Sequence, residues 1–192
     1  MRNNGGSGEI YYVILRGGEG KHILANECEK MKLLETLVVI KKEVEFKVGA
    51  YCILDNQVEL LLEIKGVLLS NIIEMLITIY TEYSINILRT HKDMLLTVYH
   101  QEQLSSFREV INAVIRMHNK PVKYNIVQDV DHYWWSSYRS YKSYGSHKAH
   151  LISPILDGEV ILAGIDADIK KAIRIFVKCH KDQQCLEELG RE

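Results

Sequence analysis

One hairpin constrains this chain more than any other feature. The stretch FKVGAYCILDNQVELLLEI, residues 46–64, reads as two strands, 46–54 and 57–64, joined across Asp55 and Asn56, residue types that suit a tight turn. Successive side chains on a strand point to opposite faces, so Gln57 and Glu59 share one face while Val58, Leu60 and Leu62 take the other. Two neighbouring polar side chains on a strand of Leu and Val normally face solvent; they can also mark a site.

The segments around the hairpin complete a pattern. EIYYVILRG (9–17) is rich in β-branched and aromatic residues and closes on glycines, so it reads as a strand. NECEKMKLLETLVVIKKEV (26–44) has apolar residues at helical spacing, with Asn26 as its N-cap. LLSNIIEMLITIYTEYSINIL (68–88) reads as a long helix and MLLTVYH (94–100) as a fourth strand. LSSFREVINAVIRMHNK (104–120) is a helix that Pro121 stops. The order predicts an α+β domain over 8–150, with a ferredoxin-like, split βαβ antiparallel sheet and helices on one face. Residues 151–192 read as a helical C-terminal extension, with a short helix near 157–164 and one amphipathic helix over 166–189. Gly17, Gly18 and Gly20 match no complete phosphate loop and read as the loop after the first strand.

Charge excludes a globally attractive nucleic-acid surface. Lys plus Arg number 24 against 25 Asp plus Glu, and the net charge of −1 leaves room only for a local basic patch. The cysteines, Cys28, Cys52, Cys179 and Cys185, lack C-x-x-C spacing and read as reduced thiols of a cytoplasmic protein, not a zinc site. The start, MRNNGGSGE, lacks the apolar core of a signal peptide. Charges break every apolar run well short of the ~18 residues a membrane span needs, so no membrane partner is expected.

Four stretches, IYYVILRG, AYCILDNQVELLLE, MHNKPVKYNIV and YWWSSYRSY, together resemble the single-tyrosine HUH transposases, including the REP-associated tyrosine transposases and small insertion-sequence enzymes. The resemblance covers residues 8–142 and implies a strand transferase that cuts single-stranded DNA beside hairpins. In that family two histidines on the hairpin's second strand bind Mg or Mn, which polarises the scissile phosphate. A tyrosine on the helix before an N-P-V segment attacks the phosphate, and an Asn or Gln one turn later completes the metal site. Here the histidine positions fall on Gln57 and Glu59, the tyrosine on Arg116 and the third ligand on Lys120. A glutamine amide is a poor ligand beside imidazole. A guanidinium is no oxygen nucleophile, and a lysine brings positive charge where a cation must bind. The four changes together read as a degenerate site with no catalytic residue, metal or cofactor. Arg116 and Lys120, four apart, point the same way from their helix. Their pairing with the Glu59 carboxylate and the Gln57 amide oxygen would replace the metal in tying helix to sheet. The alternative is that all four are solvated on an open face.

His118 matches a histidine of the family's helix motif and reads as a structural residue. Trp134, Trp135 and Tyr138 could stack on bases; for the two tryptophans the preferred reading is that they cap the core under the preceding helix. Arg139, Lys142 and Lys148, with His147 and His150, make the best basic-aromatic patch; Arg139, Lys142, Lys148 and Tyr138 are the residues expected to hold a nucleic acid. The segment KDMLLTVYHQEQ, where active relatives are basic, keeps only Lys92 and histidines. The functional expectation is an inactivated, transposase-derived binder of single-stranded or hairpin nucleic acid, DNA ahead of RNA. Two alternatives stay open: a protein-interaction or structural module, homodimer included, and a still-active single-strand transposase using Glu59 and Tyr124.

Overall fold

A computed structural model describes residues 8–18, 21–86, 96–144 and 155–189. Strands β1 (Glu9–Gly17), β2 (Phe46–Leu54), β3 (Gln57–Ile64) and β4 (Leu96–Leu104) form one sheet in the order β2-β3-β1-β4. Every neighbouring pair is antiparallel. Helix α1 (Glu27–Glu43) links β1 to β2, and α2 (Leu69–Asn86) follows β3, which is the expected split βαβ arrangement. Sequence-local signals set the helix starts. Asn26 and Glu29 form a capping box at α1, and Ser106 and Glu109 form another at α3 (Phe107–Lys123).

The central strand β3 is buried on both faces, which explains its near-continuous apolar run. Val58, Leu60, Leu62 and Ile64 pack on one side with Leu33, Leu37 and Ile40 of α1 and Ile72, Leu76 and Tyr80 of α2. Leu61 lies on the other side with Tyr12, Ile14 and Cys52, under Ile111, Val114 and Met117 of α3. The expectation of helices on one face therefore holds for α1 and α2, but the second face is covered too. Burying both faces of the middle strands removes more apolar surface from water than one helical layer could. Gly49 helps the later elements close in. The β2–β3 register shifts beside it, and a Cβ there would stand 2.8 Å from Leu61 and 2.9 Å from Val160.

Three boundaries differ from the sequence reading. Pro121 does not stop α3, which runs on to Lys123; the stop is Asn125, at φ 55° in the left-handed region. A proline in the last turn forfeits few helical hydrogen bonds, whereas a left-handed residue ends the helix outright. The fourth strand, expected at 94–100, is found at Leu96–Leu104 with its central residues exposed, so HQEQ carries no hydrophobic period to read. Beyond α4 (Tyr138–Lys142) and α5 (Glu159–Ile165), the single helix expected over 166–189 is two: α6 (Ile169–Cys179) and α7 (Gln183–Leu189). The backbone turns after Lys178, and the Asp182 carboxylate accepts from the amides of Gln184 and Cys185 to begin α7. That turn brings the Cα atoms of Cys179 and Cys185 to 5.0 Å, and the two are joined as a disulfide. The reading of four reduced thiols is thus corrected for this pair; Cys28 and Cys52 remain free.

The C-terminal helices build no core of their own. Ile161, Leu162, Ala172 and Phe176 join the cluster beneath α3. Among the described residues no helix is long and apolar enough to cross a membrane.

Candidate functional site

Where β3 meets α3, four side chains form a hydrogen-bonded cluster around one buried carboxylate, that of Glu59. Glu59 and Gln57 are 0% and 2% exposed, so the solvated alternative is excluded. Strand alternation aims both at α3, and Lys120 reaches down from the last full turn of that helix. Its ammonium donates to Glu59 Oε1, which also accepts from the Gln57 amide. The Tyr12 hydroxyl, from β1, donates to Glu59 Oε2. Arg16, also on β1, donates through Nε to the Gln57 carbonyl oxygen at 2.9 Å. Each carboxylate oxygen is therefore taken, and the one buried negative charge is matched by one cation.

The expectation that a cation from α3 would pair with Glu59 is met by Lys120 and not by Arg116. The Arg116 guanidinium lies over the Tyr12 ring, 5.4 Å from its centroid, on the exposed side of the helix. The four-residue spacing does place both cations on one stripe. The difference is depth, since Lys120 lies one turn nearer the buried end. The sequence reading missed Tyr12 and Arg16. Their signal is parity: both fall on the β1 face that pairs beside Gln57 and Glu59, with Ile14 opposite Glu59 and Arg16 opposite Gln57.

The electrostatics follow from enclosure. Burial first, and then the Glu59 charge, push the Tyr12 phenol far above the ordinary tyrosine range, so it is a hydrogen-bond donor and no nucleophile. The Cys52 thiol, opposite Glu59 on β2, is pushed up by the same two causes. A divalent cation wants several free oxygen ligands. This cluster offers one carboxylate already capped by an ammonium and one amide oxygen already held by Arg16, so the residues present do not fit a metal. Among the described residues no three His, Cys, Asp or Glu side chains gather into a ligand set elsewhere. Tyr124, the nucleophile of the active alternative, is the C-cap of α3, half exposed, whereas Glu59 is fully enclosed.

Beneath α3 lies a second polar cluster. The His118 and His180 rings stack with Nδ1 of His118 and Nε2 of His180 3.0 Å apart. His180 Nδ1 contacts the Phe176 carbonyl oxygen at 2.7 Å, and a carbonyl only accepts, so that nitrogen carries the hydrogen. His180 Nε2 then accepts from His118 Nδ1, and His118 Nε2 accepts from the Ser137 hydroxyl at 2.7 Å. Burial holds both imidazoles neutral, pushing His180 down to about 4 and His118 also well down. His118 is thus the structural residue expected.

Of the residues expected to hold nucleic acid, Tyr138 is 0% exposed. It packs edge-on against His118 and cannot present its ring to a base. That is a correction, caused by the WSSY segment folding against β2 through the Cys52–Ser136 bridge. Arg139 and Lys142 are at the surface, both bound to Asp131. Lys148, His147, His150 and Lys92 lie outside the described residues. Trp134 does not cap the core. It is 67% exposed, with the Arg139 guanidinium 3.5 Å from its ring centroid.

A solved structure of a REP-associated tyrosine transposase bound to a REP hairpin matches with a TM-score of 0.62 over 78% of this chain and 88% of that one, at 13% identity. The fold is that of a REP-associated tyrosine transposase. A second structure, of a protein described as a transposase from Deinococcus radiodurans R1, matches with a TM-score of 0.43 over 60% of this chain and 95% of that one, at 14% identity. No family model matches the chain and no curated protein matches it.

Proposed function

We propose that this protein is a transposase-derived binder of hairpin or single-stranded DNA that neither holds a catalytic metal nor cuts the strand. The observation that carries the reading is the ion pair of Lys120 with the fully buried Glu59. An ammonium occupies the helix-to-sheet junction where the resembling enzymes need a cation bound, and the nucleophile's position carries Arg116. The nearest phenol, Tyr12, is buried and spent on Glu59. The hairpin carried by the structurally similar transposase supports DNA as the ligand class. Incubation of the protein with DNA hairpins bearing single-stranded flanks, with and without Mn2+, tests both halves. The expected result is a salt-sensitive complex and no covalent protein–DNA adduct. An adduct would overturn the inert reading, and absence of binding at low salt would overturn the DNA reading.

A second reading rests on β4. Its residues 97–103 are exposed along an edge strand, a surface that suits pairing with another chain. The protein is then an interaction module, and a dimer in solution whose mass halves when proline replaces Gln101 would favour it.

A further inference from the structure

The helix α6, IKKAIRIFVKC, carries four cations and no acid. Its inner face is committed, since Ala172, Phe176 and Cys179 are buried. Lys170, Arg174 and Lys178 recur at four-residue steps along the outer face, about 6 Å of rise apart. Among the described residues Lys170 and Arg174 have no ion-pair partner; Lys178 reaches only Asp182, at 3.8 Å between two well-exposed side chains. Lys171 is bound to Asp166.

The row does not end with the helix. Lys181 bridges to Asp129 and Asp131 at 3.0 and 3.5 Å. Asp131 in turn holds Lys142 and, through its carbonyl, Arg139, whose guanidinium covers one face of Trp134. Trp134 also lines a cleft of about 630 Å³ with Met31, Ile126 and Trp135. Glu27 and Glu35 of α1 line the same cleft. A largely exposed tryptophan covered on one face by an arginine, and linked to the α6 cations through the ion pairs of Asp129 and Asp131, has the parts of a single-strand platform: charge for the backbone and an aromatic face for a base.

We propose that a single nucleic-acid strand lies along the outer face of α6, with phosphates on Lys170, Arg174 and Lys178 and an unpaired base stacked on the open face of Trp134. This rests on the nucleic-acid reading above and assigns the contacting surface, away from the Glu59 cluster. The carboxylates of Glu27 and Glu35 repel phosphate, so the base enters the cleft while the backbone stays on the α6 side. Both tryptophans of the chain line the cleft, so an occupant reports itself in intrinsic fluorescence.

The test is titration of labelled DNA and RNA strands, a hairpin with an unpaired flank, and a blunt duplex, at several salt concentrations. The expected result is quenching of tryptophan emission by strands with unpaired bases and weaker binding of the blunt duplex. The triple variant Lys170→Ala, Arg174→Ala, Lys178→Ala should flatten the log K against log salt slope by about 2, at ~0.7 per cation on a single strand. Trp134→Ala should weaken binding about tenfold and leave that slope unchanged. These four side chains are on the surface, so the variants should fold as the parent does. Binding by the parent with the triple variant unaffected overturns this surface and leaves the function above standing. No binding of any strand by the parent at low salt overturns both. Equal affinity for heparin, with the same fluorescence change, reduces the surface to a general polyanion contact and overturns the base-stacking assignment.

Discussion

Lys120→Met tests the Glu59 cluster most sharply. Glu59 is 1% and Lys120 14% exposed at the side chain, and Lys120 is the one cation paired with that carboxylate among the described residues. Removing it leaves a carboxylate in a dry site with two neutral donors, Tyr12 and the Gln57 amide. Removing one partner of a buried pair costs about 3–5 kcal/mol. The two surviving hydrogen bonds set the expected loss near the lower figure, roughly 3 kcal/mol at pH 7.5. Glu59→Gln is the asymmetric control. It keeps the shape, removes the charge, and leaves a lysine whose stem can carry its head group out to water, so its loss should be about 1 kcal/mol. The double variant should resemble Glu59→Gln and give a coupling of roughly 3 kcal/mol in magnitude. Urea unfolding followed by tryptophan fluorescence at pH 7.5 measures all of this. Equal losses for the two single variants, or a loss below about 1 kcal/mol for Lys120→Met, would refute a buried, charge-balanced cluster.

The paired histidines give a pH prediction. His180 is held neutral by burial, down from 6.5 to about 4, and His118 is also lowered, so between those pH values the unfolded chain binds protons that the folded chain refuses. Stability is therefore full above pH 6.5 and declines as pH falls toward 4, by roughly 3 kcal/mol for His180 alone; His180→Phe should flatten that decline in acid-unfolding curves. Phe176→Ala should cost about 3–5 kcal/mol in one cooperative transition, because Phe176 is 0% exposed in the core under α3; a separate low-stability transition would mean the C-terminal helices fold alone. Mn2+ should leave the melting temperature unchanged, whereas a site filled at a hundred times its dissociation constant would add about 2.7 kcal/mol.

Much of the fold was legible in the chain. The D-N turn, the alternation of β3 and the capping residues at Asn26 and Ser106 act over a few residues, so they survive without knowledge of the rest. Helical and strand periods alone put Arg116 with Lys120 and Gln57 with Glu59 on shared faces; that the two faces meet was implied by the resemblance to the single-tyrosine transposases. Which cation reaches Glu59 was decided by the depth of α3 over the sheet, a tertiary quantity, and the same depth set Tyr12 and Arg16 beside it. Tyr138 and Trp134 exchanged their expected places because the WSSY segment docks on the β2 edge, a contact between residues over eighty apart in the chain. Local periodicity determined the elements; long-range packing, in which each enclosed polar group must find a partner, determined which side chains met.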